Sequence, residues 1–167
     1  MRTAGELSGL AVVREAAGER LGRVHDVLFD PASGRVAGFL VRTGGGLFSK
    51  PQFLPQLLVR SLGQDALLVE SGAVLEEVHS EPVAAGAISA HALDGRPVLD
   101  ATGTVIGHVA DVLVNDDGKS VAALTLSTGL LGNLMQRRPR LPLSQIRAIG
   151  EDSVVTTKDF DPQTAEL

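Results

Sequence analysis

A stretch that occurs twice decides the fold. Residues 21–28 read LGRVHDVL, and residues 106–113 read IGHVADVL, 85 positions later. Further matches follow in the same order on both sides, with only small slips of register: Leu7-Ser8-Gly9 with Leu93-Asp94-Gly95, Val36-Ala37 with Val121-Ala122, Thr43-Gly44 with Thr128-Gly129, and Leu54-Pro55 with Leu141-Pro142. Such ordered self-similarity indicates a duplicated structural unit. We therefore predict two units, residues 1–75 and 91–160, joined by a linker at 76–90 and followed by a tail at 161–167.

Each copy is predicted to be built mainly from strands. Its apolar runs are short, rich in Val and Leu, and punctuated by Gly, which favours strands over helices. The longest runs cover residues 21–29 and 105–114, and each leads into a polar, Gly-containing turn of the hairpin kind before a return run. A unit of this size has a small core, so we expect the two copies to pack against each other.

Composition limits the function classes. The chain has 167 residues and a formal net charge of −5 shared evenly between the copies, which does not indicate a nucleic-acid domain. It contains no cysteine, which removes disulfides, thiolate nucleophiles and zinc–thiolate sites and fits a cytoplasmic protein. No apolar run is long enough to span a bilayer, so no direct membrane insertion is predicted.

The repeated pattern resembles the PRC-barrel family. The resemblance rests on Leu-x-Gly before the first strand, Gly-x-Val-x-Asp-Val-Leu in the second, the polar hairpin, and the closing Leu-Pro…Gly-x-Asp stretch. It implies an all-β fold of two tandem small barrels with short helical turns. Similar domains occur in the cytoplasmic part of the photosynthetic reaction-centre H subunit and at the C-terminal end of a ribosome maturation factor. The resemblance implies a docking or assembly role without naming the partner.

Four residues are predicted to be structural. Asp26 and Asp111 occupy matching places in apolar strands, and Gly22 and Gly107 precede them by four residues. A pair of acids could serve acid–base catalysis, but recurrence in both copies favours carboxylates that accept backbone hydrogen bonds at a bulge. The four histidines show no ligand spacing shared between copies, so no metal or other cofactor is predicted.

The two long loops, residues 44–53 and 129–140, are the predicted interaction surface. They carry the only concentrated basic patch and several large apolar residues, a combination typical of protein contacts. Phe48 and Phe53 could instead plug a barrel end. The candidate interaction residues are Phe48, Phe53, Leu130, Leu134, Met135, Arg137, Arg138 and Arg140.

The sequence therefore predicts a non-enzymatic adaptor or assembly module with an unidentified protein partner, in which self-association is also expected. One alternative is a ribosome- or RNA-associated maturation factor that uses the basic loop, although that loop lacks the stacking aromatics typical of such binders. A small-ligand-binding barrel is a further alternative.

Overall fold

The fold is described by a computed structural model that covers residues 1–44, 50–78, 86–127, 138–157 and 160. Within these residues it is mainly β, with two sheets of eight and seven strands. The elements in chain order are β1 Arg2–Thr3, α1 Ala4–Leu7, β2 Ala11–Arg14, β3 Arg20–Phe29, β4 Val36–Arg42, β5 Gln52–Pro55, β6 Val59–Leu62, β7 Ala66–Val69, β8 Glu76–Glu77, β9 Ile88–Ser89, β10 Pro97–Leu99, β11 Val105–Val114, β12 Val121–Ser127, β13 Arg140–Pro142, β14 Ile146–Ile149 and β15 Val154–Thr156. Short 3-10 turns cover Gln56–Leu58, His91–Leu93 and Leu143–Gln145.

The two sheets have the same strand order. In the first unit it is β6-β7-β2-β3-β4-β5-β8, and in the second it is β14-β15-β10-β11-β12-β13. One pair of short strands in each unit is parallel, β2 with β7 and β10 with β15, while the other pairs are antiparallel. A 3-10 turn joins β5 directly to β6, and another joins β13 to β14, so strands at or next to opposite ends of each path are consecutive in the chain. The prediction of two tandem all-β barrels is confirmed.

The register read from the sequence is also confirmed. Strands β3 and β11 begin and end at residues 85 positions apart, and so do β4 and β12. The hairpin between the long strands turns at a glycine in each copy, because Gly34 and Gly118 have φ angles of +70° and +68°. In the first hairpin, Asp30 accepts hydrogen bonds from the Ser33 hydroxyl and the Ala32 amide. These bonds stabilise the charged carboxylate and lower the pKa of Asp30.

The two units exchange their first segments. Strand β1 precedes the first barrel in sequence, yet it pairs with β11 of the second unit. Strand β9 precedes the second barrel and pairs with β3 of the first unit. Between these strands, α1 lies against both β3 and β11. The stretch 76–90, predicted as a linker, thus contributes β8 and β9 to the sheet of the first unit, which sequence periodicity could not show.

The turns of the β3–β4 and β11–β12 hairpins contact each other, and the two units are related there by an approximate twofold symmetry. Val36 donates its amide hydrogen to the Lys119 carbonyl over 2.9 Å, and Val121 donates to the Gly34 carbonyl over 2.8 Å. These bonds are equivalent under the 85-residue shift. One hydrophobic cluster includes side chains of both units, with the equivalent Leu7 and Leu93 fully buried. The copies therefore share a core, as the small size of each unit led us to expect.

Candidate functional site

The repeated carboxylates lie at a β-bulge in each unit. Along the β3–β4 ladder, Val24 pairs with Val41 and Asp26 with Leu40, so His25 is the extra residue. The β11–β12 ladder contains the same irregularity immediately before Asp111. A bulge bends its strand and redirects the neighbouring side chains. In both copies the carboxylate accepts the amide hydrogen of the following residue, over 2.7 Å in the first and 2.8 Å in the second.

Each carboxylate also receives donors from the exchanged segment of the other unit. The His91 amide donates to Asp26 Oδ1 over 3.2 Å, and the Ser89 hydroxyl donates to Oδ2. On the opposite side, the Gly5 amide donates to both oxygens of Asp111 over 3.2 and 3.3 Å. Gly5 and His91 are equivalent residues, 86 positions apart. The geometry is that of carboxylates which hold the two units together.

The two carboxylate sites differ in their donors. Thr3 is equivalent to Ser89, and each hydroxyl accepts the amide three residues later, from Glu6 and Ala92. Among the described residues, only the Ser89 hydroxyl also donates to one of the two carboxylates. An added Cβ at Gly5 would lie 2.7 Å from Asp111 Oδ2, so glycine is what lets this backbone approach. Asp26 is 7% exposed, and Asp111 is more accessible. Asp26 is therefore the more strongly held carboxylate.

A cleft of about 320 Å³ lies at this junction and is lined by equivalent residues of both units. The pairs that line it are Ala4 with Ala90, Gly5 with His91, Ser8 with Asp94, His25 with Ala110 and Asp26 with Asp111. Partial burial and the nearby positive charge of Arg42 lower the pKa of His25. Among the residues that the structure describes, no three His, Asp or Glu side chains are arranged to hold a metal ion.

The predicted structural glycines occupy matching sites in the long strands. Gly22 pairs with Val12, and Gly107 pairs with Val98. Both are buried. A Cβ at Gly22 would clash with the carbonyl oxygen of Arg42, because the β4 backbone crosses close to this point. A glycine there permits the tight curl of the sheet.

The outer edges of β5 and β13 differ between the units. In the first unit, β8 pairs antiparallel with β5, and Phe53 lies opposite Glu76. In the second unit, β13 pairs with β12 on one side. On its other side, no strand pairs with it within the part of the chain that the structure describes. Within the described residues, the edge of β13 is therefore unpaired where the equivalent edge of β5 is covered, and we call it the open edge.

The register of β13 shows which groups this edge presents. The Leu126 amide donates to the Pro139 carbonyl over 2.9 Å, and Thr125 lies opposite Arg140. In an antiparallel ladder, this makes Thr125 and Arg140 a non-hydrogen-bonded pair. The amide and carbonyl of Arg140 therefore point away from β12, toward the open edge. Phe53 directs the same groups toward β8 in the first unit.

A family model for the PRC-barrel domain matches residues 1–76 and 85–161. The chain belongs to the PRC-barrel family. Each match covers one of the two units, so the duplication seen in the sequence and in the sheets is a duplication of the PRC domain. No curated protein matches the sequence. Within the described ranges, no helix has the length and apolar character needed to cross a bilayer.

The predicted interaction residues fall into three groups. Five of them lie outside the described residues: Phe48, Leu130, Leu134, Met135 and Arg137. Phe53 is 5% exposed, and its ring lies against Gly38 inside the first PRC unit. Of the two roles predicted for it, that of an internal plug fits this burial. Arg138 and Arg140 are exposed beside the open edge of the second unit.

Sequence reasoning did not find the donors to the repeated carboxylates. Ser89 and His91 were assigned to the linker and its border, and Gly5 was not singled out. A signal was available, because the match of Leu7-Ser8-Gly9 with Leu93-Asp94-Gly95 extends upstream to Thr3 with Ser89 and Gly5 with His91. The open edge had no comparable signal, since it depends on which strands become neighbours.

Proposed function

We propose that this double PRC barrel is a non-enzymatic protein-interaction module, an adaptor or assembly factor that acts in the cytoplasm. Its partner surface is the open edge formed by β13 with Arg138 and Arg140. The observation that carries the proposal is the difference between the two units, because the edge that β8 covers in the first is unpaired in the described part of the second. An unpaired strand edge is a ready template for another chain.

The repeated carboxylates are engaged in contacts inside the chain, in contrast to the arginines at the open edge, and this contrast supports the proposal. Asp26 and Asp111 accept backbone hydrogen bonds from within and across the units, which assembles the two barrels into one body. Arg138 and Arg140, in contrast, are exposed and form no ion pair within the described part of the chain. Exposed arginines contribute strongly to protein contacts when a partner desolvates them.

The proposal is tested by crosslinking in native lysate. A photocrosslinking amino acid replaces Arg138 in one protein and Arg147 in a matched control. Arg147 is also an exposed arginine of the second unit, on β14. We expect discrete protein adducts from position 138 that unlabelled full-length protein competes away and that the added R140E substitution abolishes. Equal adducts from both positions, or none from position 138, would contradict the proposal.

RNA binding is the second candidate, because the same two exposed arginines could contact phosphates. Ribonuclease treatment before irradiation separates the two functions. Adducts with a protein partner should survive this treatment. If position 138 crosslinks only to RNA, or if every protein adduct disappears with the RNA, the RNA-associated function replaces the adaptor function.

A further inference from the structure

The covered edge of the first PRC unit shows what the open edge of the second can accept. There, the strand that covers β5 is β8, which consists of Glu76 and Glu77. It pairs antiparallel, with Glu77 opposite Gln52 and Glu76 opposite Phe53. The fold therefore already accommodates a short acidic strand at this position of the sheet.

The open edge has the charge that would complement such a strand. Arg140 is equivalent to Phe53, so it stands where an incoming acidic residue would pair. Arg138 lies two residues before it, just outside the strand, and is also exposed. In the aligned repeat, the positions of Glu76 and Glu77 are occupied by Gln163 and Thr164, neither of which carries a carboxylate.

We propose that the open edge of β13 binds an extended acidic segment of a partner protein as an added antiparallel strand. This inference rests on the proposed adaptor function and names the chemistry of its partner. The amide and carbonyl of Arg140 supply the backbone pairing, and acidic residues of the partner pair with the guanidinium groups of Arg138 and Arg140.

A proline in the strand makes this edge selective. Pro142 is the next residue whose backbone faces the open edge, and it has no amide hydrogen, so pairing is confined to the short stretch around Arg140. A neutral β-strand would gain few hydrogen bonds there, and a basic strand would be repelled by both arginines. Charges and prolines are common protection against unwanted strand pairing. An acidic segment pairs with the two arginines, whereas other strands are disfavoured, and this difference makes the edge specific for acidic partners.

The test measures fluorescence anisotropy of a labelled eight-residue peptide of alternating glutamate and valine, mixed with the full-length protein. We expect saturable binding in the anisotropy measurement. In a separate NMR titration, we expect the peptide to shift the Arg140 amide resonance. The R138E/R140E double variant should bind this peptide at least about tenfold more weakly, because two attractive pairs become repulsive. The R147E variant makes a single charge reversal elsewhere in the second unit and should bind like the wild type.

Two further peptides separate strand pairing from simple charge attraction. In the first, N-methylation of the backbone removes amide hydrogens but keeps every carboxylate, and it should abolish binding. In the second, lysine replaces glutamate. This peptide should fail with the wild type and bind the R138E/R140E variant. Equal binding of the methylated peptide would overturn strand addition.

The remaining outcomes are also decisive. If the glutamate peptide does not bind the full chain, the inference is wrong. If binding appears only after removal of residues 161–167, the chain occupies its own edge, and the partner proposal is likewise wrong. In either case, partner adducts from position 138 in lysate would still support the adaptor function. Loss of those adducts would contradict the function itself.

Discussion

Replacement of Asp26 by alanine tests the idea that one carboxylate holds the two units together. The substitution removes an acceptor that is 7% exposed. Three donors lose their partner: the Val27 amide, the His91 amide and the Ser89 hydroxyl. A hydrogen bond to a charged group contributes about 1.5–3 kcal/mol, and a buried donor without a partner is costly. Because some donors can reach water after the change, we expect a loss of about 3–4 kcal/mol in the free energy of unfolding.

The equivalent Asp111→Ala substitution should cost less, about 1–2 kcal/mol. Asp111 is more accessible, and its donor from the other unit is a single amide shared over 3.2 and 3.3 Å. Among the described residues, no hydroxyl equivalent to that of Ser89 donates to it. The difference of about 2 kcal/mol between the two variants is the quantity that the structure predicts.

The assay is urea denaturation at neutral pH, followed by far-ultraviolet circular dichroism. The chain contains neither tryptophan nor tyrosine, so intrinsic fluorescence is a weak probe. Asp65→Ala is the matched control, because Asp65 is exposed, and its stability should lie within about 0.5 kcal/mol of the wild type. Equal losses for the Asp26 and Asp111 variants, or a loss below about 1 kcal/mol for Asp26→Ala, would refute the reasoning.

Two further predictions concern the first unit. Gly22→Ala should lower the free energy of unfolding by about 2 kcal/mol, since its Cβ would press on the β4 backbone, whereas Gly72→Ala meets no atom within 4 Å and should be near neutral in the same assay. The folded-state pKa of His25 is lowered from its usual 6.5, so the unfolded chain binds the proton more readily. The free energy of unfolding should therefore fall as the pH drops below about 6.5, and His25→Gln should flatten this dependence in denaturation curves measured across that range; an unchanged slope would argue against it.

The long strands of both units could be predicted because each is a Val- and Leu-rich run that ends at a Gly-containing turn. Besides the two-residue strands, the sequence does not predict the short strands Gln52–Pro55, Val59–Leu62, Arg140–Pro142 and Ile146–Ile149. They adjoin prolines and 3-10 turns, and three or four residues are too few to show a period. Their strand conformation is imposed by their neighbours in the sheet, which is long-range information that no local pattern contains.

The candidate site was predictable in the same limited way. The repeat located Asp26 and Asp111, and the chemistry of a buried carboxylate in an apolar strand implied backbone donors. Which donors these are depends on the exchange of the first segments between the units. A two-residue strand such as β9 can join either sheet without any change in its own sequence, so the exchange follows from packing and not from a motif.

The first unit can be compared with the second at the position of the open edge. At one register of the sheet, the first unit has Phe53, a buried ring that contributes to the core and faces an acidic strand of the same chain. The second unit has Arg140, whose guanidinium is exposed and adds little to stability in the absence of a partner. The backbone groups of both residues point outward in the same direction. Arg140 in place of a buried ring therefore reduces core packing at a position where the backbone can still pair with an added strand. A contact with an acidic strand from another protein accounts for both features.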